Sequence, residues 1–191
     1  HFDIPLLANI PNLVYLAPIN REEYLAMLDW SLAYKEHPVA IRVPVGATVP
    51  AARPVQTDYS ELNRYEVVER GKDVAILGLG NFFALGEQVH RLLQAQGIQA
   101  TLVNPRYISG IDTELLDNLA ADHRLVVTLE DGALEGGFGE KIARHYGPTA
   151  VKTHCYGARK TFVDRYSPQD FLAANRLVDT MIAEDVVRLL G

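Results

Sequence analysis

The chain has 191 residues, 48% of them hydrophobic and 22% charged, which is enough apolar material for a sizeable core. Its formal net charge of -6, with no basic face, argues against nucleic acid as a partner. The single cysteine, Cys155, excludes an intrachain disulfide and fits a cytoplasmic protein, and no apolar run reaches the roughly 18 residues that a membrane span needs.

The opening residues, HFDIPLLANIPN, lack the basic start of a secretory signal. They begin abruptly on apolar sequence without Met, which predicts a piece of a longer protein. Residues 13–18, LVYLAP, form a short apolar run closed by Pro18, a buried strand. Asn20 offers an N-cap, with Glu22 and Glu23 in the first turn. Tyr24, Leu25, Leu28 and Leu32 follow at helical spacing and predict a helix over 21–36. HPVAIRVP at 37–44 turns at Pro38 into a second strand that carries Arg42. This strand–helix–strand unit is half of a parallel layer. The stretch 45–64 is rich in Pro, Ala and polar residues, lacks periodicity and reads as a linker.

Strands are then predicted over 65–71, 73–80, 99–105, 124–131 and 150–157. Between them, a helix over 82–96 turns Leu85, Val89, Leu92 and Leu93 inward and closes on Gly97. Asp112 caps a helix to about 121, and a glycine-rich turn leads into one over 135–147. Ser167-Pro168 starts another in the cap-then-proline manner, and 179–190 is the last. The order predicts an α/β fold: three layers around a mostly parallel, doubly wound sheet.

Two glycine clusters carry the candidate chemistry. In GLGNFF, Gly78 and Gly80 fit the first positions of a dinucleotide fingerprint. The third position is Phe83, however, and the next strand ends in Asn104-Pro105 where a ribose-binding acid belongs. The pattern favours a tight packing turn. In EDGALEGGFGEK, Gly136, Gly137 and Gly139 precede a helix whose N–H groups are able to cradle an anion. Glu130, Asp131 and Glu135 beside them would repel a phosphate, so the glycines read as allowing close approach of another chain or domain. A carboxylate at that strand end is also a general-base candidate, without a paired acid or nucleophile. The six histidines lack metal-ligand spacing, and adjacent His154 and Cys155 point to opposite faces of a strand. Arg159, Lys160 and Arg165 read as a solvated loop, with an anion site as the alternative. The residues alone assign no catalytic, cofactor-binding or metal site. They leave a nucleotide- or anion-binding regulatory module as one functional reading.

A resemblance points elsewhere. Phe2, Asp3, Leu7, Ile10, Pro11, Asn12 and Pro18, then Ala40, Ile41, Arg42, Pro44 and Gly46, resemble the thiamine-diphosphate enzymes of the transketolase superfamily, the 1-deoxy-D-xylulose-5-phosphate synthases most of all. Ala75–Leu77 with Gly80, Arg106-Tyr107, and Val127-Thr128 through Glu130 to Gly139 extend the likeness over nearly the whole chain. The resemblance implies the end of a pyrimidine-binding middle domain (1–46), a linker (47–64) and a C-terminal domain (65–191). It implies that the parent joins pyruvate, with decarboxylation, to an aldehyde such as glyceraldehyde 3-phosphate, in isoprenoid precursor synthesis. Thiamine diphosphate and Mg²⁺ would bind to the parent's other domains and not to this piece. The piece would be inactive alone, with the missing domains as partners and a homodimer as the parent's assembly. Glu130, Gly136, Gly137 and Gly139 are then loop or interface residues. Val45 replaces the family's phosphate-binding Arg, which leaves Arg42 as the one substrate-binding candidate. A subunit of a split transketolase-like enzyme is the related alternative.

Overall fold

Short, mostly continuous apolar runs build two sheets in the computed structural model, which describes residues 2–44, 48–162 and 167–191. A short helix α1 (Asp3–Leu7) leads to β1 (Val14–Leu16), α2 (Arg21–Ala33) and β2 (Val39–Ile41). Then come β3 (Glu66–Glu69), β4 (Asp73–Gly78), α3 (Phe83–Ala95), β5 (Thr101–Asn104), α4 (Thr113–Ala120), β6 (His123–Ala133), α5 (Phe138–Tyr146), β7 (Lys152–Ala158), α6 (Pro168–Ala174) and α7 (Asp179–Leu190). Strands β1 and β2 form a parallel two-stranded sheet joined through α2. The other five run in the order β3-β5-β4-β6-β7, parallel except for β3, which pairs antiparallel with β5 at the edge.

Alternation along the central strands feeds two cores. Val74, Ile76, Val127 and Leu129 meet Val89 and Leu93 of α3 and Ile182 and Val186 of α7 on one face. Ala75, Leu77, Val103 and Val126 meet Leu116 and Leu119 of α4 and Phe138 and Ile142 of α5 on the other. The result is the three-layer, mostly parallel doubly wound α/β fold that the element order predicts. The second core also takes in Ile4 and Tyr15, so the small sheet leans on the α4–α5 side of the large one. Tyr59, fully buried, packs with Met27, Leu16 and Tyr107 and ties the 48–64 segment to both sheets.

Local signals place the helix ends. Asn20 Oδ1 accepts from the Glu23 N–H at 2.8 Å, and Ser167 Oγ from the Asp170 N–H at 3.0 Å. Gly97, at φ +81, lets the Ile98 N–H reach the Leu93 carbonyl and close α3. Helix α2 ends at Ala33, short of residue 36, because Tyr34 is already extended ahead of Pro38. Helix α1 lies within the opening stretch, where Pro5 occupies its first turn and Ile4 is drawn into the core.

Candidate functional site

The carboxyl ends of β4 and β6, where the strand order reverses, are where ligands bind in open α/β sheets. Strand β4 runs into the turn at Gly78–Gly80 and a single 3-10 turn, Gly80–Phe82. Gly80 sits at φ +55, and a Cβ there would lie 3.3 Å from the Cβ of Ala17. A Cβ on Gly78 would lie 2.7 Å from the Phe83 backbone. The turn therefore presses α3 and the segment after β1 together. Asn104, in the place of a ribose-binding acid, donates to Glu23 at 3.0 Å and Glu66 at 3.3 Å. Arg106 closes this buried cluster with ion pairs to both glutamates.

Strand β6 delivers Glu130, fully buried, to the start of α5. Its Oε1 accepts from the Gly139 N–H at 2.8 Å and its Oε2 from the Phe138 N–H at 3.0 Å. The protein's own carboxylate thus fills the anion position at the helix N-terminus. Burial pushes this carboxyl up to about 7, against the two N–H bonds that favour its charged form. The glycines follow from this seat. A Cβ on Gly137 would meet the Ala133 carbonyl at 2.4 Å and Glu130 Oε1 at 2.7 Å. One on Gly139 would meet Thr128 Oγ1 at 2.6 Å and Cys155 Sγ at 2.9 Å. Gly136, at φ +73, faces Pro5 of α1 at 3.2 Å, and its N–H donates to Glu140 at 2.8 Å.

Arg42, just past β2, is committed to two carboxylates. Its Nε donates to Asp3 Oδ2 at 2.5 Å and its Nη1 to Asp131 Oδ1 at 2.5 Å. A third bond, Nη2 to Asp3 Oδ1 at 3.3 Å, makes the Asp3 side of the clamp bidentate. Burial works against the Asp3 carboxylate, but the Arg42 hydrogen bond and charge outweigh it and hold its pKa down to about 2. The side chain is 14% exposed, so this arginine bolts the small sheet and α1 to the end of β6. Val45 and Gly46 lie outside the described residues, as does Arg165.

The structure brings Arg42, Glu130 and the glycine loop into one neighbourhood, through Asp131 beside Glu130. It leaves Arg159 and Lys160 exposed on a loop away from any carboxylate contact among the described residues. Asp3, the second arm of the clamp, carries no local signal of its role, because its partner lies 39 positions along the chain. Among the described residues no three His, Cys, Asp or Glu side chains group as a metal site.

The family described as "Transketolase, C-terminal domain" matches residues 63–177. The 1-deoxy-D-xylulose-5-phosphate synthase of Gloeothece citriformis (strain PCC 7424) is 34% identical over 194 residues, covering 98% of this chain and 30% of its own length. The synthase of Acidobacterium capsulatum is 38% identical over 141 residues, 74% of this chain and 22% of its own. The chain therefore spans 30% or less of the length of these two relatives. A solved structure described as "Split gene transketolase, inactive beta4 tetramer" superposes with a TM-score of 0.80 at 26% identity, over 98% of this chain and 60% of that one. A transketolase from Pichia stipitis shares the fold with a TM-score of 0.70 at 12% identity, over 95% of this chain and 26% of its own. The family match takes in every strand of the large sheet, both glycine turns and the Glu130 seat, and the chain belongs to the transketolase superfamily through its C-terminal domain.

Proposed function

We propose that the chain is the C-terminal part of a thiamine-diphosphate-dependent transferase of the 1-deoxy-D-xylulose-5-phosphate synthase kind. Residues 1–46 would be the end of the middle domain, 47–64 the linker and 65–191 the C-terminal domain. The observation that carries this reading is the two-stranded parallel sheet. Parallel sheets occur almost only as larger layers covered on both faces. Among the described residues β2 pairs only with β1, and five of the nine exposed large hydrophobics among them (Leu6, Ile10, Leu25, Leu32 and Val43) lie in residues 1–46. Strands and helices from the rest of the parent would cover them.

The α5 N-terminus behind the glycine loop is filled by the chain's own Glu130, which supports placing thiamine diphosphate and Mg²⁺ on the parent's other domains. The chain's part is positional. The Arg42 clamp holds residues 1–46 against the end of β6, Glu130 holds α5 to that same strand, and Arg42 is spoken for by Asp3 and Asp131 rather than by a substrate phosphate. Closing the substrate channel and adding to a homodimer interface complete the proposed role, in a cytoplasmic enzyme. Calorimetry checks this: the purified chain is expected to take up no thiamine diphosphate with Mg²⁺, and micromolar binding would overturn the assignment. The split-gene transketolase neighbour favours a second reading, a separate subunit working with a partner that carries the other domains. The reading frame upstream of Phe2 separates the two.

A further inference from the structure

Between the loop after α1, the turn after β5 and helix α5 lies a crevice of about 380 Å³, within the roughly 300–1,000 Å³ of small-molecule sites. Its lining gathers two cations, Lys141 and Arg144, in a chain of net charge -6. They stand three residues apart on one face of α5. Neither forms an ion pair with a carboxylate among the described residues. Lys141 Nζ is fixed by the carbonyls of Ile108 at 2.7 Å and Ser109 at 3.3 Å, which orient the ammonium without neutralising it. The one acid in the lining, Glu140, turns to the Gly136 N–H at 2.8 Å. Burial lowers the Lys141 pKa and the neighbouring Arg144 charge adds to that shift, with Glu130 opposing it in part, so an anion in the crevice would relieve what remains.

We propose that this crevice binds the phosphate group of a small phosphomonoester, with Arg144 as the forked donor and Lys141 as the point charge; Ser109 and Asn9 line the rest of the crevice with side chains already bonded to Tyr15, Asn63 and Pro5. A guanidinium and an ammonium on one rigid helix suit a tetrahedral oxyanion, and the volume leaves room for a few carbons beyond it. The glycine loop is not the ligand, because its N–H groups are already taken by Glu130, Glu140 and the Leu134 carbonyl. The proposal stands apart from the transferase reading and does not depend on it.

Titration of the 191-residue chain with inorganic phosphate, glycerol 3-phosphate and acetate, followed by amide NMR shifts, tests it. Saturable shifts at Ser109, Gly110 and Gly137, with glycerol 3-phosphate tighter than acetate, are expected. Arg144→Gln, at an exposed position, is expected to weaken binding about tenfold with the melting temperature unchanged, and Arg144→Lys to recover part of the loss. Absence of saturation, acetate binding as tightly, or undiminished binding by Arg144→Gln would each overturn the site.

Discussion

Glu130 couples the glycine loop to pH. In the folded chain its carboxyl titrates at about 7 instead of the ordinary 4.5, so the folded state holds a proton that the unfolded state has released between those values. A raised folded pKa contributes stability that is fully present below the unfolded value and is lost as pH rises through the folded one. The loss comes to about 3 kcal/mol. Asp3 behaves oppositely: its carboxyl is depressed to about 2, so the clamp's contribution holds at neutral pH and fades only as pH falls below the ordinary 3.8. Glu130→Gln keeps one acceptor oxygen, as the protonated acid does, and removes the titration. Thermal unfolding between about pH 5 and 8 is expected to give a falling Tm for the unsubstituted chain and a flatter profile for the variant. Parallel profiles would mean that the Glu130 carboxyl has the same pKa in the folded and unfolded chain.

At the scale of elements, two caps of the same residue class carry different loads. Asn20 satisfies one N–H of α2. Asp112 accepts from the Leu115 N–H of α4 at 3.1 Å, and its second oxygen accepts from the buried Tyr65 N–H at 2.9 Å. Asn20→Ala removes a cap and is expected to cost about 1 kcal/mol. Asp112→Ala also strands a buried donor at the entry to β3 and is expected to cost about 2–4 kcal/mol. Denaturant unfolding of both variants measures the difference, and equal losses would mean that water reaches the Tyr65 N–H. These caps were legible in the sequence because each acts within three residues of itself, and the same locality made α3 and α7 readable from their apolar spacing. Helix α1 was hidden, since five residues with a proline in the first turn give no periodicity and only Ile4's burial holds them. Gly136, Gly137 and Gly139 read in the sequence as a loop approached by another chain or domain. That the approaching groups are Glu130's own carboxylate, Cys155 and Pro5 depends on contacts that no spacing encodes. Arg42 read in the sequence as a strand residue and substrate-binding candidate, whereas its partners sit 39 and 89 positions away.

For the whole molecule, the open edge of β2 decides how the chain behaves in solution. The Val14 N–H donates to the Pro38 carbonyl and the Arg42 N–H to the Leu16 carbonyl, so residues 38 and 42 face β1. Alternation then turns the N–H groups of Val39 and Ile41 outward, away from any strand among the described residues. An unpaired parallel edge is a template for another strand. On the domain assignment proposed above, that strand would come from the rest of the middle domain. In the isolated chain, a second copy is the nearest substitute. Sedimentation velocity is therefore expected to show concentration-dependent association of the chain alone. Ile41→Pro removes one outward donor at an edge position that tolerates proline, and is expected to weaken association while the cooperative unfolding of the five-stranded sheet persists. Co-expression with the preceding segment of the parent is expected to suppress the association altogether, because a native strand then occupies the edge. Association that survives both changes would place the contact on another face and remove the β2 edge as the site of joining.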